Sequence, residues 1–515
     1  MVLSRYTLRN INTDFVSVPH EDTFDLPEKV LQFGTGVLLR GLPDYFINKA
    51  NQTGVFNGRI VLVKSTDQGS LSPFDKQDGL YTLCVRGFMN AEKVEENSII
   101  SSISRVLSAS SEWLQVLECA HNQHLKIIIS NTTEVGIQLV NDDIRGNPPK
   151  SFPGKLLAFL YERFKAFDGS SLSGMVIIPT ELISDNGKKL ESIVLELAHL
   201  NGLEDGFINW VEEHNLFCNS LVDRIVPGKP DTRVQSVIED QLGYSDTLLT
   251  ISEVYRLWAI EGNEQVKKIL SFAQADEGII IEPDINIYRE LKLHLLNGTH
   301  TLSCGLAFLA GCATVSQAMD DELVFSYIVN LMLNEIAPSI PSDVGLPAAR
   351  DFGNKVLDRF RNPHISHRWI NITMQYSSKM KARCIPVLLK HYRTNGTVPE
   401  FFALGFAAYL HFMKPVEKRD GQYYGRINGE SYLIQDDEAE VFYKRWAELT
   451  SDIVVQEVLR DTYWEVNLHE LPGFEDAVIE NLNFIMNRGI RMTIARLPFE
   501  KGSHPPANKN HNSEN

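Results

Sequence analysis

An α/β fold, doubly wound in its first half and mostly α-helical in its second, is predicted by three features of the chain. Short apolar runs of strand length alternate with helical patterns through residues 30–201. A glycine turn separates the first such run from the first helical pattern, and from about residue 283 onward long stretches of helical periodicity dominate. Strand–helix alternation of this kind favours a largely parallel sheet covered on both faces.

The first predicted strand, residues 30–32, runs into Phe33-Gly34-Thr35-Gly36. A helix is expected over residues 37–51, with Leu38, Leu42, Tyr45 and Phe46 on one face, and a second strand over residues 59–63. Strand, glycine turn, helix, strand is the opening unit of a Rossmann-type dinucleotide-binding domain. Gly34 and Gly36 would let the backbone bend and approach a pyrophosphate, whose charge a helix N-terminus favours. The fingerprint's third glycine is missing, and Leu39 stands in its place. At the end of the second strand, where an acidic residue ordinarily binds the ribose hydroxyls, the chain reads Lys64-Ser65-Thr66-Asp67. Asp67 serves if the loop folds back, whereas Lys64 and Ser65 suit a 2′-phosphate. A nicotinamide cofactor is therefore expected, and these residues leave both NAD and NADP open.

Further strands are predicted at residues 99–103, 125–129 and 175–178, with helices at 154–165 and 186–201. The second half should hold helices at 288–315, 322–334, 348–360, 380–395, 399–412, 438–449 and 474–487. Residues 420–437, rich in glycine, tyrosine and acidic groups, read as an exposed loop or a short hairpin, and the polar end as disordered. These readings divide the chain into a dinucleotide-binding domain (1–285), a helical catalytic domain (286–498) and a tail (499–515).

A net charge of −17 argues against a nucleic-acid partner, whose phosphates need a basic surface. The first twelve residues lack an apolar signal core, and no run approaches the roughly 18 apolar residues of a membrane span. A cytoplasmic protein without membrane partners is expected, its oligomeric state open. The six cysteines are scattered with no Cys-x-x-Cys pair, and His-Glu-x-x-His is absent, so buried thiols and no metal site are expected.

The chemistry points to Lys292-Leu-His-Leu-Leu-Asn297-Gly-Thr-His300. At roughly 100° per residue, His300 falls about 80° and Asn297 about 140° from Lys292, on one side of a helix. Leu291, Leu293, Leu295 and Leu296 surround them. A partly desolvated lysine is suited to act as a general base, and an asparagine amide can donate to a carbonyl or alkoxide oxygen. A cofactor-binding regulatory protein without catalysis would keep the glycine turn but would not need this amine.

The spacing Lys-x4-Asn-x2-His resembles the signature of the long-chain polyol (mannitol) dehydrogenase family. Further fragments similar to that family follow in its order: Gln32 to Arg40, Ser130-Asn-Thr-Thr-Glu134, Asp185-Asn-Gly187, Val222-Asp-Arg-Ile225 and Arg359-Phe-Arg-Asn-Pro363. Tyr81 to Gly87, Ser130 to Glu134 and Pro179-Thr-Glu-Leu-Ile183 look most like the family's tagaturonate reductase branch, which interconverts altronate and tagaturonate with NAD. The resemblance implies a small sugar-acid or polyol substrate and a metal-independent hydride transfer, with the site between the two domains. It implies that Lys292 is the general acid/base, that Asn297 polarises the reacting oxygen and that His300 holds a neighbouring hydroxyl. Glu181, Arg224 and Lys379 would meet the substrate. Mannitol enzymes carry Asp-Asn where this chain has Glu181-Leu182, and arginine where it has Asn371. Both departures count against simple mannitol activity. An arabinitol dehydrogenase or a fructuronate (mannonate) reductase of the same family would also carry the lysine motif.

Overall fold

The computed structural model describes residues 1–65, 69–132 and 136–499. Asp67, Glu134 and the polar end of the chain lie outside the described residues. Two compact units emerge: Met1–Arg86 with Lys93–Ile285, and Gly87–Glu92 with Asn286 onward.

The first eight strands are β1 (Glu28–Phe33), β2 (Arg59–Lys64), β3 (Tyr81–Met89), β4 (Glu92–Ile100), β5 (Ile103–Ser108), β6 (Ile127–Ser130), β7 (Val176–Pro179) and β8 (Leu216–Phe217), all in the first unit except the β3–β4 tip at Gly87–Glu92. Six of these form one sheet in the order β5-β2-β1-β6-β7-β8, with every neighbouring pair parallel. Counted within the sheet this is 3-2-1-4-5-6, the doubly wound order of dinucleotide-binding domains. The chain starts in the middle, works outward to β5, and returns beside β1 to work outward the other way. A crevice therefore opens at the carboxyl ends of β1 and β6.

Both faces of the sheet are buried, which is why its strands read as unbroken apolar runs. Along β2, Ile60 and Leu62 enter one core cluster while Val61 and Val63 enter the other. Smaller sheets are completed by β9 (Ser220–Asp223), β10 (Thr250–Glu253), β11 (Leu257–Glu261) and β12 (Ile279–Glu282), in the orders β10-β3-β4 and β12-β11-β9.

Two expectations for this unit need correction. The helix after the glycine turn is broken into Val37–Gly41 and Pro43–Gln52, with Leu42 at φ −132 and ψ −81 between them. Pro43 has no N–H to give the preceding turn, and its ring disfavours a helical Leu42. Residues 99–103 are not one strand: Ile99 and Ile100 end β4, Ile103 begins β5, and Ser101-Ser102 form the corner between them. There the Ser101 N–H and hydroxyl donate to Asn48 Oδ1 (2.9 and 3.2 Å), and the Ser102 hydroxyl donates to the Asp44 carbonyl (3.0 Å). Apolar Ile99, Ile100 and Ile103 are buried on either side, so the corner mimics a continuous strand in sequence.

The second unit is rich in helices. Thr299–Leu309 packs against the nearly wholly buried Glu400–Phe412, which in turn packs on Phe474–Arg488. The stretch expected to be one helix over 288–315 is three pieces: an α-helix Asn286–Leu291, a π-helix Lys292–Gly298 and an α-helix Thr299–Leu309. Residues 322–334 likewise change to π winding at Leu331–Ile336. The stretch 380–395 is split into Tyr376–Arg383 and Ile385–Asn395, with Pro386 in the first turn of the second helix. The region expected to be a loop or hairpin is a three-stranded antiparallel meander, β13 (Glu417–Arg419), β14 (Gln422–Ile427) and β15 (Glu430–Ile434). Its turns are Asp420-Gly421 and Asn428-Gly429, all four residues at positive φ, as two-residue hairpin turns require. No helix among the described residues is long and apolar enough to cross a membrane.

Candidate active site

The glycine turn lies where the crevice of the parallel sheet opens. Gly34 continues β1, its N–H donating to the Val63 carbonyl at 2.9 Å, and turns away at φ +127. A Cβ there would stand 2.9 Å from both the Asn131 carbonyl oxygen and Leu39 Cδ1, so only glycine fits. Leu39, in place of the third glycine, is buried beside Gly34. Phe33 is buried, Thr35 half-buried and Gly36 exposed, with no described residue within 4 Å of a Cβ built on Gly36. The turn is thus closed behind and open in front, which fits a pyrophosphate approaching the backbone. At the end of β2, Lys64 and Ser65 are half-buried, and the Ser65 hydroxyl has no hydrogen-bond partner among the described residues. An orphaned hydroxyl at that strand end suits a ribose or its phosphate.

Glu181 and Arg224 are held by the protein itself. The buried Glu181 carboxylate accepts from Ser130 Oγ (3.1 Å), the Thr132 N–H (2.7 Å) and Thr132 Oγ1 (3.0 Å), binding the ends of β6 and β7 together. The Arg224 guanidinium donates to the Glu253 carbonyl (3.0 and 2.9 Å) and the Gly41 carbonyl (2.5 Å), and lies over the Tyr45 ring at 4.6 Å. Burial pulls its pKa down to about 10. Arg86, in the Tyr81 to Gly87 fragment, donates to the Val85 and Glu96 carbonyls and to Asn97 Oδ1. Asn186 of the Asp-Asn-Gly fragment donates to three carbonyls, those of Pro179, Glu181 and Ser220, and Gly187 packs directly on the Cys218–Asn219 backbone.

In the second unit the winding sets the positions of Lys292, Asn297 and His300 nearer to one face than α-helical geometry does. Lys292 opens the π-helix and Asn297 lies five residues on, near its end. With i→i+5 hydrogen bonding, residues five apart take the offset that residues four apart have in an α-helix, roughly 40° in place of 140°. His300, in the first turn of the next α-helix, is three residues further along that face. Lys292 and Asn297 are half-buried, His300 is buried, and Leu291, Leu295 and Leu296 are buried around them.

His300 is caged by aromatics. Phe360 stacks on it at 4.3 Å, while His367 and Trp369 meet it edge-on at 5.0 and 5.9 Å. Burial, reinforced by His367, Arg359, Arg383 and Lys379, holds its pKa well below the ordinary value, so it is neutral at physiological pH. Its Nε2 is buried with no hydrogen-bond partner among the described residues. Lys379, on the helix Tyr376–Arg383, donates to the Ile372 carbonyl at 2.9 Å, and burial followed by the nearby Arg383 lowers its pKa. The sequence reading does not pick out Arg383 or His367. For Arg383 a signal exists: it stands four residues after Lys379, one helical turn away.

All six cysteines are free and buried, and burial raises Cys304 to about 12. No group of three His, Cys, Asp or Glu side chains among the described residues is placed to hold a metal ion.

Comparison with known proteins follows the same division. The model of the mannitol dehydrogenase Rossmann domain matches residues 28–273, and that of the mannitol dehydrogenase C-terminal domain matches residues 284–486. The altronate oxidoreductase of Bacillus subtilis (strain 168) is 39% identical over 482 residues, covering 92% of this chain and 96% of that protein. Its counterpart in Halalkalibacterium halodurans is 36% identical, covering 94% and 96%, and one from Escherichia coli is 34% identical, covering 92% and 97%. Among solved structures, a D-sorbitol dehydrogenase in substrate-free form matches with TM-score 0.76 at 19% identity, covering 96% of this chain and all of that one. A Pseudomonas fluorescens mannitol 2-dehydrogenase, in ternary complex with NAD and D-mannitol, matches with TM-score 0.65 at 22% identity, covering 96% and 99%. With both family models matched in order and the relatives aligned over nearly their full lengths, the chain belongs to the mannitol dehydrogenase family.

Proposed function

We propose that this enzyme, an NAD-dependent dehydrogenase acting on a CH–OH group, interconverts D-altronate and D-tagaturonate without a metal, with Lys292 as general acid/base. One observation carries the mechanism: the wide turn over Lys292–Gly298 aligns an amine with an amide, next to a neutral imidazole whose Nε2 has no partner among the described residues. The substrate rests on the three relatives above, each named an altronate oxidoreductase.

In the oxidising direction Lys292 Nζ takes the proton of the reacting hydroxyl, and in the reducing direction it returns a proton to the ketone oxygen. The Asn297 amide donates to that same oxygen as negative charge develops on it. His300, being neutral, exchanges a hydrogen bond with a neighbouring hydroxyl through Nε2 and adds no charge of its own. Lys379 contacts the substrate. Phe33, Gly34, Thr35 and Gly36 hold the cofactor's pyrophosphate, with the end of β2 at the ribose, where Ser65 stands and Asp67 follows. Bound NAD supplies the hydride acceptor for oxidation and, once reduced, the donor for reduction. Glu181 and Arg224 shape the first unit from within, their polar atoms being occupied by its backbone and hydroxyls.

The test is NADH formation by purified, metal-stripped protein with D-altronate, D-mannonate, D-mannitol and D-arabinitol in parallel. Turnover of altronate far above the others is expected. Preference for another of the four would keep the Lys292 chemistry and replace the substrate. Silence with all four, while NAD still binds, would favour a regulatory protein.

A further inference from the structure

Two cations on one face of the helix Tyr376–Arg383 lack an acidic partner among the described residues. Lys379 and Arg383 stand four residues apart and are therefore neighbours, an arrangement that destabilises an isolated helix by repulsion. Among those residues the Lys379 ammonium makes one hydrogen bond, to the Ile372 carbonyl, and the Arg383 guanidinium one, to Thr301 Oγ1 at a long 3.4 Å. Neither forms an ion pair there, in a chain with 66 acidic residues against 49 basic ones. Lys381, between them in sequence, does pair, with Glu465 at 2.8 Å. Asp436 is the acidic group that acts on Lys379, but its oxygens accept from the Ser377 and Glu438 N–H groups (2.7 and 2.9 Å). Half-buried charges of one sign call for a counter-charge, and none comes from the described residues.

This pair adjoins the reactive turn. The hydroxyl that Arg383 reaches, Thr301 Oγ1, donates to the Asn297 carbonyl at 2.8 Å. The Arg383 carbonyl accepts from His294 Nδ1 at 2.8 Å, and a Cβ on Gly298 would lie 3.4 Å from it. Arg383 is thus fixed against the turn that presents Asn297, at His294 and Gly298, while its guanidinium keeps most of its donors. Both cations also act on neutral His300.

We propose that Arg383, assisted by Lys379, receives the carboxylate of a sugar-acid substrate, and that this pair is what selects acids over neutral polyols at the site. The inference rests on the sugar-acid reading of the function but not on altronate in particular. A planar guanidinium matches a carboxylate's two oxygens, and the ammonium adds a second charge within one helical turn.

The experiment is calorimetric titration of the NADH-loaded enzyme with D-altronate, D-mannonate, D-mannitol and D-mannitol 1-phosphate, on wild type, R383Q, R383K and K379Q. Wild type should bind at least one acid more tightly than mannitol. R383Q should weaken acid binding by about 30-fold or more while changing mannitol binding by no more than about threefold, with R383K intermediate. In turnover, R383Q should raise KM for the acid and leave kcat at saturation nearly unchanged. Acid affinity unaltered in a folded R383Q, or in both R383K and K379Q if R383Q does not fold, overturns the proposal. So does a wild type that binds mannitol as well as the acids, or the phosphate better than either. Acid binding that depends on Arg383 in an enzyme unable to oxidise altronate supports this site and removes the altronate assignment alone.

Discussion

Glu181 and Arg224 of the first unit are engaged by the protein at every charged atom, whereas His300, Lys379 and Arg383 of the second keep polar groups to spare among the described residues. Arg224 spends its guanidinium on two backbone carbonyls and a tyrosine face, and Glu181 accepts through both oxygens. In the second unit, counting the described residues, His300 keeps a bare Nε2, and Lys379 and Arg383 have one hydrogen bond each and no counter-ion. Burial is similar for Arg224 and His300, so depth does not separate scaffold from site. What separates them is how many polar valences the fold itself consumes.

The largest effect expected from this contrast concerns Lys292. Lys292→Ala should lower kcat/KM by on the order of a thousandfold with NADH affinity, read by fluorescence titration, nearly unchanged. A loss below about tenfold would remove Lys292 from proton transfer. Next comes stability: Arg224→Met leaves buried carbonyls unanswered and should cost about 3 kcal/mol in denaturant unfolding, against under about 1 kcal/mol for Arg383→Met. Equal losses would erase the distinction between the two arginines. Within the first unit, Gly34→Ala places a side chain at φ +127 against the Asn131 carbonyl and should destabilise by about 1–3 kcal/mol. Gly36→Ala, with open space before it, should leave stability within about 0.5 kcal/mol and show its effect in NADH affinity instead.

The smallest effect is a pH dependence. Burial lowers His300 well below its ordinary value and His411 to about 4, from an unperturbed 6.5. Above pH 6.5 neither the folded nor the unfolded chain carries these protons. As the pH falls below 6.5 the unfolded chain takes them first, so stability drops until, near pH 4, folded His411 also protonates. These two histidines therefore subtract from stability between pH 6.5 and 4, against the opposite contribution of Asp44 and Glu335, whose burial raises them to about 7 and about 8. Relative to wild type, His411→Asn should shift the Tm difference between pH 6.5 and 4 in favour of the lower pH.

Strands buried on both faces announce themselves as apolar runs, so β1, β2, β6 and β7 are legible in the sequence with ends shifted by one or two residues. The glycine turn is legible for a related reason, a φ of +127 leaving no other residue possible. The Leu42–Pro43 break and the Asp-Gly and Asn-Gly turns of the meander are written in the sequence but outweighed by the surrounding pattern. Strands such as β9 and β12, four residues each, carry too few alternations to be read. The fate of Arg224 is beyond any local reading, because one acceptor, Gly41, lies 183 residues away in the chain. Arg383 is hidden differently: what marks it is the want of a partner, which only the folded chain reveals.

The wide turn at Lys292–Gly298 amounts to one extra residue wound into an otherwise regular helix. Such an insertion acts as a phase shift, rotating everything before it against everything after it by roughly 100° relative to unbroken α winding. Rewinding the same residues as a continuous α-helix would gain regularity while swinging Lys292 away from Asn297, from roughly 40° to roughly 140°. The winding of this segment, as much as its composition, sets which side chains share a face.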